Sequence, residues 1–435
     1  MNRKNLSLQI ALACTIAFAA NTVNAVESDS EKNNVKFSGI WQFEGARTFT
    51  SPEHASKLKN AFDLALQGGL SEDIKWKLSG RLSYDAVYDV NNFYPGPVAH
   101  DQRAEALALE NYLDISKGDW DFRLGRQHII WGEVVGLFFA DVVSAKDLRE
   151  SVLQDFDRIR IPQWATRVEY FKNDFHAEAV WIPYMTYNEI GKPGSEFYSY
   201  PPPGPAGYGY QIRDEVTPSR NLSNTAYGLR LSYLVNGWDM SGFVYQSVDA
   251  SAAFSREIQA GPTPAFIYTP EHHKIHQGGM SVAKDLGNMV VKAEAVYTGD
   301  REFTVTRLSD TDGLVKQNTL DYILGMEWPL PEDARLNIQL FGRTVFNHDP
   351  DILVKKQENG LTMLWSGKYG NWEPQLLLIS SLNHTDWLAR PRVLWNFAHN
   401  WRAAAGVDLL GGKATGFFGQ FDNKDRAYME VRYTF

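Results

Sequence analysis

The final segment of the chain, Tyr428 to Phe435, alternates without exception. Met429, Val431, Tyr433 and Phe435 fall on one face, and Tyr428, Glu430, Arg432 and Thr434 fall on the other. Successive side chains of a strand point to opposite sides, so this segment presents one apolar and one charged surface. Lipid on one side and a wet interior on the other satisfies both. An edge strand of a soluble sheet also satisfies them, so the reading depends on whether the rest of the chain repeats the pattern.

The pattern recurs from Val35 onward. Ile74, Trp76, Leu78, Gly80, Leu82 and Tyr84 alternate with Lys75, Lys77, Ser79, Arg81, Ser83 and Asp85. Leu336, Ile338 and Leu340 alternate with Arg335, Asn337 and Gln339. Trp387, Ala389, Pro391, Val393, Trp395 and Phe397 alternate with Arg390, Arg392 and Asn396. Pro391 removes one ladder hydrogen bond, which predicts a bulge there. The mean hydropathy is low, at -0.35, yet the chain carries 13 Trp, 20 Tyr and 24 Phe. A barrel exposes only every second residue to lipid and ends its apolar band in aromatic girdles, which accounts for both values. No run beyond the N-terminus is long and apolar enough for a transmembrane helix.

Connection lengths set the strand count. Short turns are expected at Gly69–Asp73, Lys117–Asp119, Lys172–Asp174, Asn236–Gly237, Asp285–Asn288, Pro329–Asp333, Gly367–Asn371 and Ala398–Asn400. Longer segments lie between them, the longest near Trp131–Pro162 and Thr186–Leu222. Short periplasmic turns and long outer loops are the habit of bacterial outer-membrane barrels. The expected fold is therefore all-β, a transmembrane antiparallel barrel of about eighteen strands spanning residues 35–435, with both termini on the periplasmic side. A soluble sandwich would leave the alternation of loop lengths unexplained.

The N-terminus reads separately. Arg3 and Lys4 precede the apolar run Leu6–Ala20, and Val23-Asn24-Ala25 offers small residues for cleavage, which predicts a signal peptide over residues 1–25. A short periplasmic segment, 26–34, follows. Cys14, the only cysteine, falls within the signal, so the exported chain forms no disulfide. Removing the signal shifts the net charge from -9 to -11. That acidity argues against a nucleic-acid partner.

A barrel of this size is too wide to be filled by its own wall, so function rests on what narrows it. The candidate is Trp131–Pro162, which carries Trp131, Glu133, Asp141, Asp147, Arg149, Glu150 and Arg158. Leu137, Phe138 and Phe139 favour packing it inward. Wall residues expected to face the lumen include Arg81, Arg123, Arg167, Arg230, Arg335, Arg343, Arg390, Arg392 and Arg402. The acids expected opposite them are Asp85, Glu110, Asp121, Glu169, Glu178, Glu294, Asp321, Glu327 and Asp408. Pairing across neighbouring strands is the expectation for most. Arg390 and Arg392, with only Asp408 evident on the next strand, are the exception that could guide an anion.

The stretch Leu124-Gly125-Arg126-Gln127-His128-Ile129-Ile130-Trp131-Gly132-Glu133 is followed by Asp141-Val142-Val143-Ser144 and Asp147-Leu148-Arg149-Glu150. Together they resemble the family called domain of unknown function 1302. That resemblance implies a porin-like outer-membrane barrel of a Gram-negative bacterium. It also implies an association with inner-membrane transporters of the RND or MMPL type and a periplasmic partner, and passage of lipophilic or amphipathic molecules. Gly-Arg-Gln also occurs in other barrels, among them alginate exporters, which implies an acidic cargo instead. The ending on Tyr433 and Phe435 resembles the signal read by the barrel-assembly machinery, and the wall would contact outer-membrane lipid.

Other chemistry is weakly marked. His272, His273 and His276 form the densest imidazole group, but Lys274 shares their face and no metal site is expected. Ser309-Asp310-Thr311-Asp312-Gly313 lacks the later glutamate of a calcium loop. The tyrosine-rich loop Gly191–Arg220, with Tyr198, Tyr200, Tyr208 and Tyr210, is expected to be irregular and to fold over the rim. No cofactor and no catalysis are expected, although an outer-membrane hydrolase would require a serine and histidine in contact on the lipid-facing wall.

Overall fold

The computed structural model describes residues 35–134, 140–156, 158–199, 208–262 and 264–435. The proposed signal peptide and the segment 26–34 lie outside the described residues, as do Leu137, Phe138, Phe139 and Tyr200. Eighteen antiparallel strands close into one barrel. In order they are Lys36–Thr48, His54–Gly69, Ile74–Asp85, Ala104–Lys117, Trp120–Gln127, Gln163–Lys172, Phe175–Tyr184, Ala226–Val235 and Trp238–Val248. The second half comprises Lys274–Asp285, Val290–Thr304, Leu314–Leu330, Ala334–Phe346, Gln357–Ser366, Trp372–Ser381, Asp386–Ala398, Trp401–Gly412 and Arg426–Thr434. Each pairs with the next, and the last closes on the first through Trp41 opposite Tyr433 and Arg47 opposite Ala427. Closure joins the first strand to the last, so that neither is left as an edge, the condition for crossing lipid with strands. Among the described residues no helix is long and apolar enough to cross a membrane.

The alternation sets which face is wet. Leu64, Leu66, Leu78, Leu82, Leu124, Leu340 and Val393 are exposed on the outside, whereas Gln42, Glu294, Thr298, Asp321, Gln339 and Asp408 are buried within. All eight short turns fall where the sequence places them. Four of them contain only two residues, and each of these has a left-handed residue: Gly118, Asn173, Asn236 with Gly237, and Asn400. Tight hairpins need positive φ, which Gly and Asn adopt at least cost. At this end an aromatic girdle forms, with Trp401 and Tyr433 rings 4.6 Å apart and Trp372 stacked on Trp395 at 5.1 Å. Phe435 belongs to it, 5.8 Å from Phe37 and bonded through its backbone to Gly39.

Two local expectations differ from the structure. Pro391 sits in unbroken register opposite Leu376, and the pairing beyond it toward Trp401–Gly412 keeps its register. The irregularity falls instead between Trp395 and Ala398, beside the turn, where a shift disturbs fewer ladder bonds. The loop Gly191–Arg220 is not wholly irregular: Gly209–Ile212 runs parallel to Ala265–Glu271. That strand in turn pairs with Ala253–Gln259, making a three-stranded sheet on the long-loop side. Tyr208 packs against Phe266 there with the rings tilted, Tyr198 is buried, and Tyr210 remains exposed.

Candidate functional site

The chain between Gln127 and Gln163 leaves the wall and crosses the lumen. It starts by burying Trp131 against the inward-facing rings of Phe243 and Tyr245, at centroid distances of 5.2 and 5.7 Å. Gly228 makes room, because a Cβ there would lie 2.7 Å from the Trp131 ring. Next, the backbone N–H groups of Glu133, Val134 and Ala140 all donate to the carboxylate of Glu294, at 2.5, 2.8 and 3.2 Å. Arg230 donates to the Glu133 side chain at 2.9 Å, and Lys292 to its carbonyl at 3.2 Å. Three convergent donors hold a buried carboxylate as a helix N-terminus would.

The segment then makes a short two-residue ladder, Ala145–Lys146 with Arg160–Ile161. Arg160 donates to Asp141 at 2.6 Å, and Arg149 binds both Asp147 at 2.7 Å and Glu105 of the wall at 3.1 Å. Its far end reaches the opposite wall. Glu150 contacts Lys57 and accepts from Arg426 at 3.0 Å. Asp155 accepts from Arg392 at 2.7 Å and lies 3.8 Å from Arg432. Arg158 contacts Gln42 and stands 3.5 Å from Asp63. Leu153 inserts among Phe197, Leu388, Leu410, Phe418 and Phe421. One end is thus fixed on Ala226–Val235, Trp238–Val248 and Val290–Thr304, and the other on the strands that flank the closure.

Every residue proposed for the constriction lies on this crossing segment. The wall charges mostly pair across neighbouring strands as expected, Arg81 with Asp63 at 2.6 Å, Arg123 with Asp114 at 2.5 Å and Arg343 with Asp321 at 2.6 Å, whereas Arg167 pairs within its own strand, with Glu169 at 2.5 Å. Arg402 stands 3.6 Å from Glu430, while Arg335 is exposed at a short turn. The expected exception does not hold. Arg390 and Arg426 share Asp408, and Arg392 is claimed by Asp155 of the segment and by Gln375. Neither is a free cation: Arg390 keeps the acid of the neighbouring strand, and Arg392 is reached by an acid from far along the chain. Glu294 and Asp85 depart in the other direction, accepting backbone N–H groups rather than arginines. Lys57, Asp63, Asp155, Arg426 and Arg432 complete the site and were not singled out. Their only trace in sequence is an inward parity or a place in the Asp155–Arg158 run.

Other candidates resolve differently. His272 turns to Glu215 at 2.8 Å and to the Asp249 carbonyl, while His276 faces Asp300 at 3.3 Å, so the histidines do not converge. Among the described residues Glu169, His176 and Glu178 could together offer metal ligands, but Arg167 already occupies Glu169. The Ser309–Gly313 loop is organised by a guanidinium: Arg256 donates to the carbonyls of Val305, Thr306, Arg307 and Asp310. A serine and histidine do meet, Ser381 Oγ and His384 Nδ1 at 3.1 Å, but in a rim turn that opens from the lumen face of the wall. Lys355 points at the same Nδ1 from 3.2 Å, and Asp386 is engaged by the N–H groups of Phe417, Phe418 and Gly419. A base whose lone pair faces an ammonium is poorly placed to activate a hydroxyl.

Spaces remain around the segment. One, of about 370 Å³, lies against Ala104–Lys117 and is lined by Leu107, Leu109, Ile161, Pro162, Pro183 and Met185 together with Arg126, Arg149, Arg158 and Arg160 and the acids Glu105, Asp147, Glu189 and Glu215. A second, of about 120 Å³, is bounded by Asp141, Lys146, Asp249, Arg301, Asp321 and Arg343.

Solved structures with this fold include Acinetobacter baumannii OccAB1, with a TM-score of 0.58 at 8% identity over 94% of this chain and 98% of that one. Pseudomonas aeruginosa OccK3 (OpdO) follows at 0.53 and 9%, over 92% and 96%. The outer membrane protein opdK of Pseudomonas aeruginosa scores 0.50 at 7%, over 92% and 99%. At such identities the likeness is one of fold. The search of curated proteins found no match to this chain. The family model described as protein of unknown function DUF1302 matches residues 6–435, so the crossing segment and the barrel around it both fall within the match, and the chain belongs to that family.

Proposed function

We propose that this protein is an outer-membrane channel for amphipathic molecules, with a lumen held narrow by the segment 128–162. The observation that carries the reading is the composition of the 370 Å³ cavity, where leucine, isoleucine, methionine and proline face arginines across one space. A wholly lipophilic cargo would find few such surfaces elsewhere, since the lumen wall is lined by ion pairs. A freely diffusing ion would meet a segment tied to both walls. Such a channel needs an outside source of direction. An inner-membrane transporter of the RND or MMPL type, with a periplasmic partner handing over the cargo, would supply it. Tyr433 and Phe435, in the girdle at the closing strand, are proposed as the signal read by the barrel-assembly machinery.

The alternative is a porin or exporter for acidic solutes or polysaccharide. It rests on Arg390, Arg392 and the arginines of the same cavity, and it is weakened because Arg149, Arg158, Arg160, Arg390 and Arg392 all have acidic partners. Single-channel conductance in a planar bilayer separates the two. The expected result is a nearly closed wild type that opens when Gly136–Gln154 is deleted. A large, anion-selective wild-type conductance that loses its selectivity in Arg390→Ala and Arg392→Ala would establish the alternative.

A further inference from the structure

The wall has a break in its ladder. Ala104–Lys117 pairs along nearly its full length with Ile74–Asp85, from Ala104 opposite Tyr84 to Ile115 opposite Ile74. On its other edge it pairs with Trp120–Gln127 only from Asn111, opposite Arg126, down to Lys117. Above that point the neighbouring chain turns into the lumen at Gln127, and the next strand begins directly opposite, at Gln163. The edge of Ala104–Glu110 therefore has no strand partner among the described residues. Trp120–Gln127 has 8 residues, fewer than the roughly nine to eleven a tilted strand needs to span the bilayer.

Unpaired backbone at membrane depth is tolerated only where it lines protein or a wet cavity. The 370 Å³ cavity lies at this edge, with Leu107, Ala108 and Leu109 on one side and Arg126, Pro162 and Pro183 on the other. Local chemistry keeps the break open. Gly125 has φ +130°, and a Cβ there would lie 2.2 Å from the Asn111 carbonyl oxygen, so the strand can end as it does only with glycine. Pro162 and Pro183 remove donors beside the edge, a usual guard against further pairing. Ala104, Ala106 and Ala108, exposed on the outer face, leave the approach low. Arg126 stands opposite the exposed Trp164, on the lipid side. Among the described residues it has no acidic partner, and its Nε is buried without an acceptor. A guanidinium on the lipid face is costly, and a bound anion would offset that cost.

We propose that this break is a lateral opening between the lumen and the outer leaflet, and that its ligand is an amphiphile with an anionic head. The head meets Arg126 and the tail lies along Leu107 and Leu109. The proposal rests on the amphipath-channel reading and adds the route and the head-group charge.

The test uses the full-length barrel reconstituted in phospholipid vesicles, with a photoreactive residue replacing Leu109 at the opening, Leu153 within the lumen or Leu340 on the intact lipid face. Radiolabelled oleate is the probe, and oleyl alcohol is its neutral counterpart. Oleate is expected to label Leu109 and Leu153 well above Leu340. Ala108→Trp is expected to lower labelling at Leu109 and Leu153 by about tenfold, and Arg126→Gln to lower oleate but not oleyl alcohol labelling by about as much, the equivalent of one charge-assisted hydrogen bond. Labelling of Leu153 that ignores Ala108→Trp would overturn the lateral route and leave the amphipath channel standing. Oleate labelling that ignores Arg126→Gln would overturn the anionic head. Labelling at Leu109 and Leu153 no stronger than at Leu340 would overturn both the opening and the channel reading, leaving only lipid adhering to the surface.

Discussion

The crossing segment is tied down in two physically different ways. At its first end, three backbone N–H groups of Glu133, Val134 and Ala140 converge on Glu294, a residue only 3% exposed. At its far end the ties run between side chains: Glu150 to Lys57 and Arg426, Asp155 to Arg392 and Arg432, Arg158 to Asp63. The first arrangement gathers three backbone hydrogen bonds on one buried carboxylate, so a single substitution removes all three at once. The second is spread over several pairs, so that losing one leaves the rest in place. The first end is the root of the segment, and the far end is the part that can be released.

The sharpest way to break this contrast is Glu294→Ala. It leaves three buried donors without an acceptor, at roughly 1–3 kcal/mol each. Protease cleavage within the segment should rise steeply and channel current should become noisy, while the heat-modifiable barrel band persists. Unchanged protection would refute the root assignment. Glu150→Ala comes next, because it leaves Lys57 with Glu44 alone and Arg426 with Asp408 alone, a loss of about 2 kcal/mol for the charge-assisted bonds removed. Thermal unfolding followed by circular dichroism should show a lower midpoint, and Glu150→Gln should recover part of it.

Arg392→Ala should do less. Asp155 retains Arg432, and both side chains are about a fifth to a quarter exposed, at 21% and 24%, so a loss of about 1 kcal/mol is expected. Its effect on open probability should shrink further in high salt. If Arg392→Ala instead matched Glu294→Ala, the distinction between root and releasable end would fail. The smallest effect is on pH. Above the rim, burial raises the Glu196 carboxyl, but Lys424, His54 and Tyr94 together hold it below its ordinary value of 4.5. A depressed carboxylate contributes stability above its unfolded value and loses it as pH falls through the folded one. Hydrogen exchange near Tyr94 should therefore speed up only below about pH 4.5, and Glu196→Gln should flatten that dependence.

Much of the barrel was legible in advance, and the reasons are local. Hairpins joined by Asn236-Gly237 or Asn173-Asp174 declare themselves through backbone preference alone. The inward charges of Ile74–Asp85 follow from parity. What parity leaves open is the partner. The sequence suggests Asp85 among the acids facing the wall arginines, yet its carboxylate accepts the N–H groups of Leu58 and Val87. It suggests a histidine group, yet His272 and His276 turn to different acids. The turn Ser309–Gly313 suggests a calcium loop lacking a ligand, and the missing cation is Arg256, more than fifty residues earlier in the chain.

By itself the sequence determined the faces of the strands, the places of the turns and the closed barrel, because side-chain alternation and turn chemistry act between residues only a few positions apart. Tertiary structure alone decided that Asp155 would neutralise Arg392, that Glu294 would root the segment, and that one edge of Ala104–Glu110 would have no strand partner among the described residues. Those outcomes depend on where a chain that leaves the wall crosses a wide lumen, and that path is set by the register and closure of all the strands together.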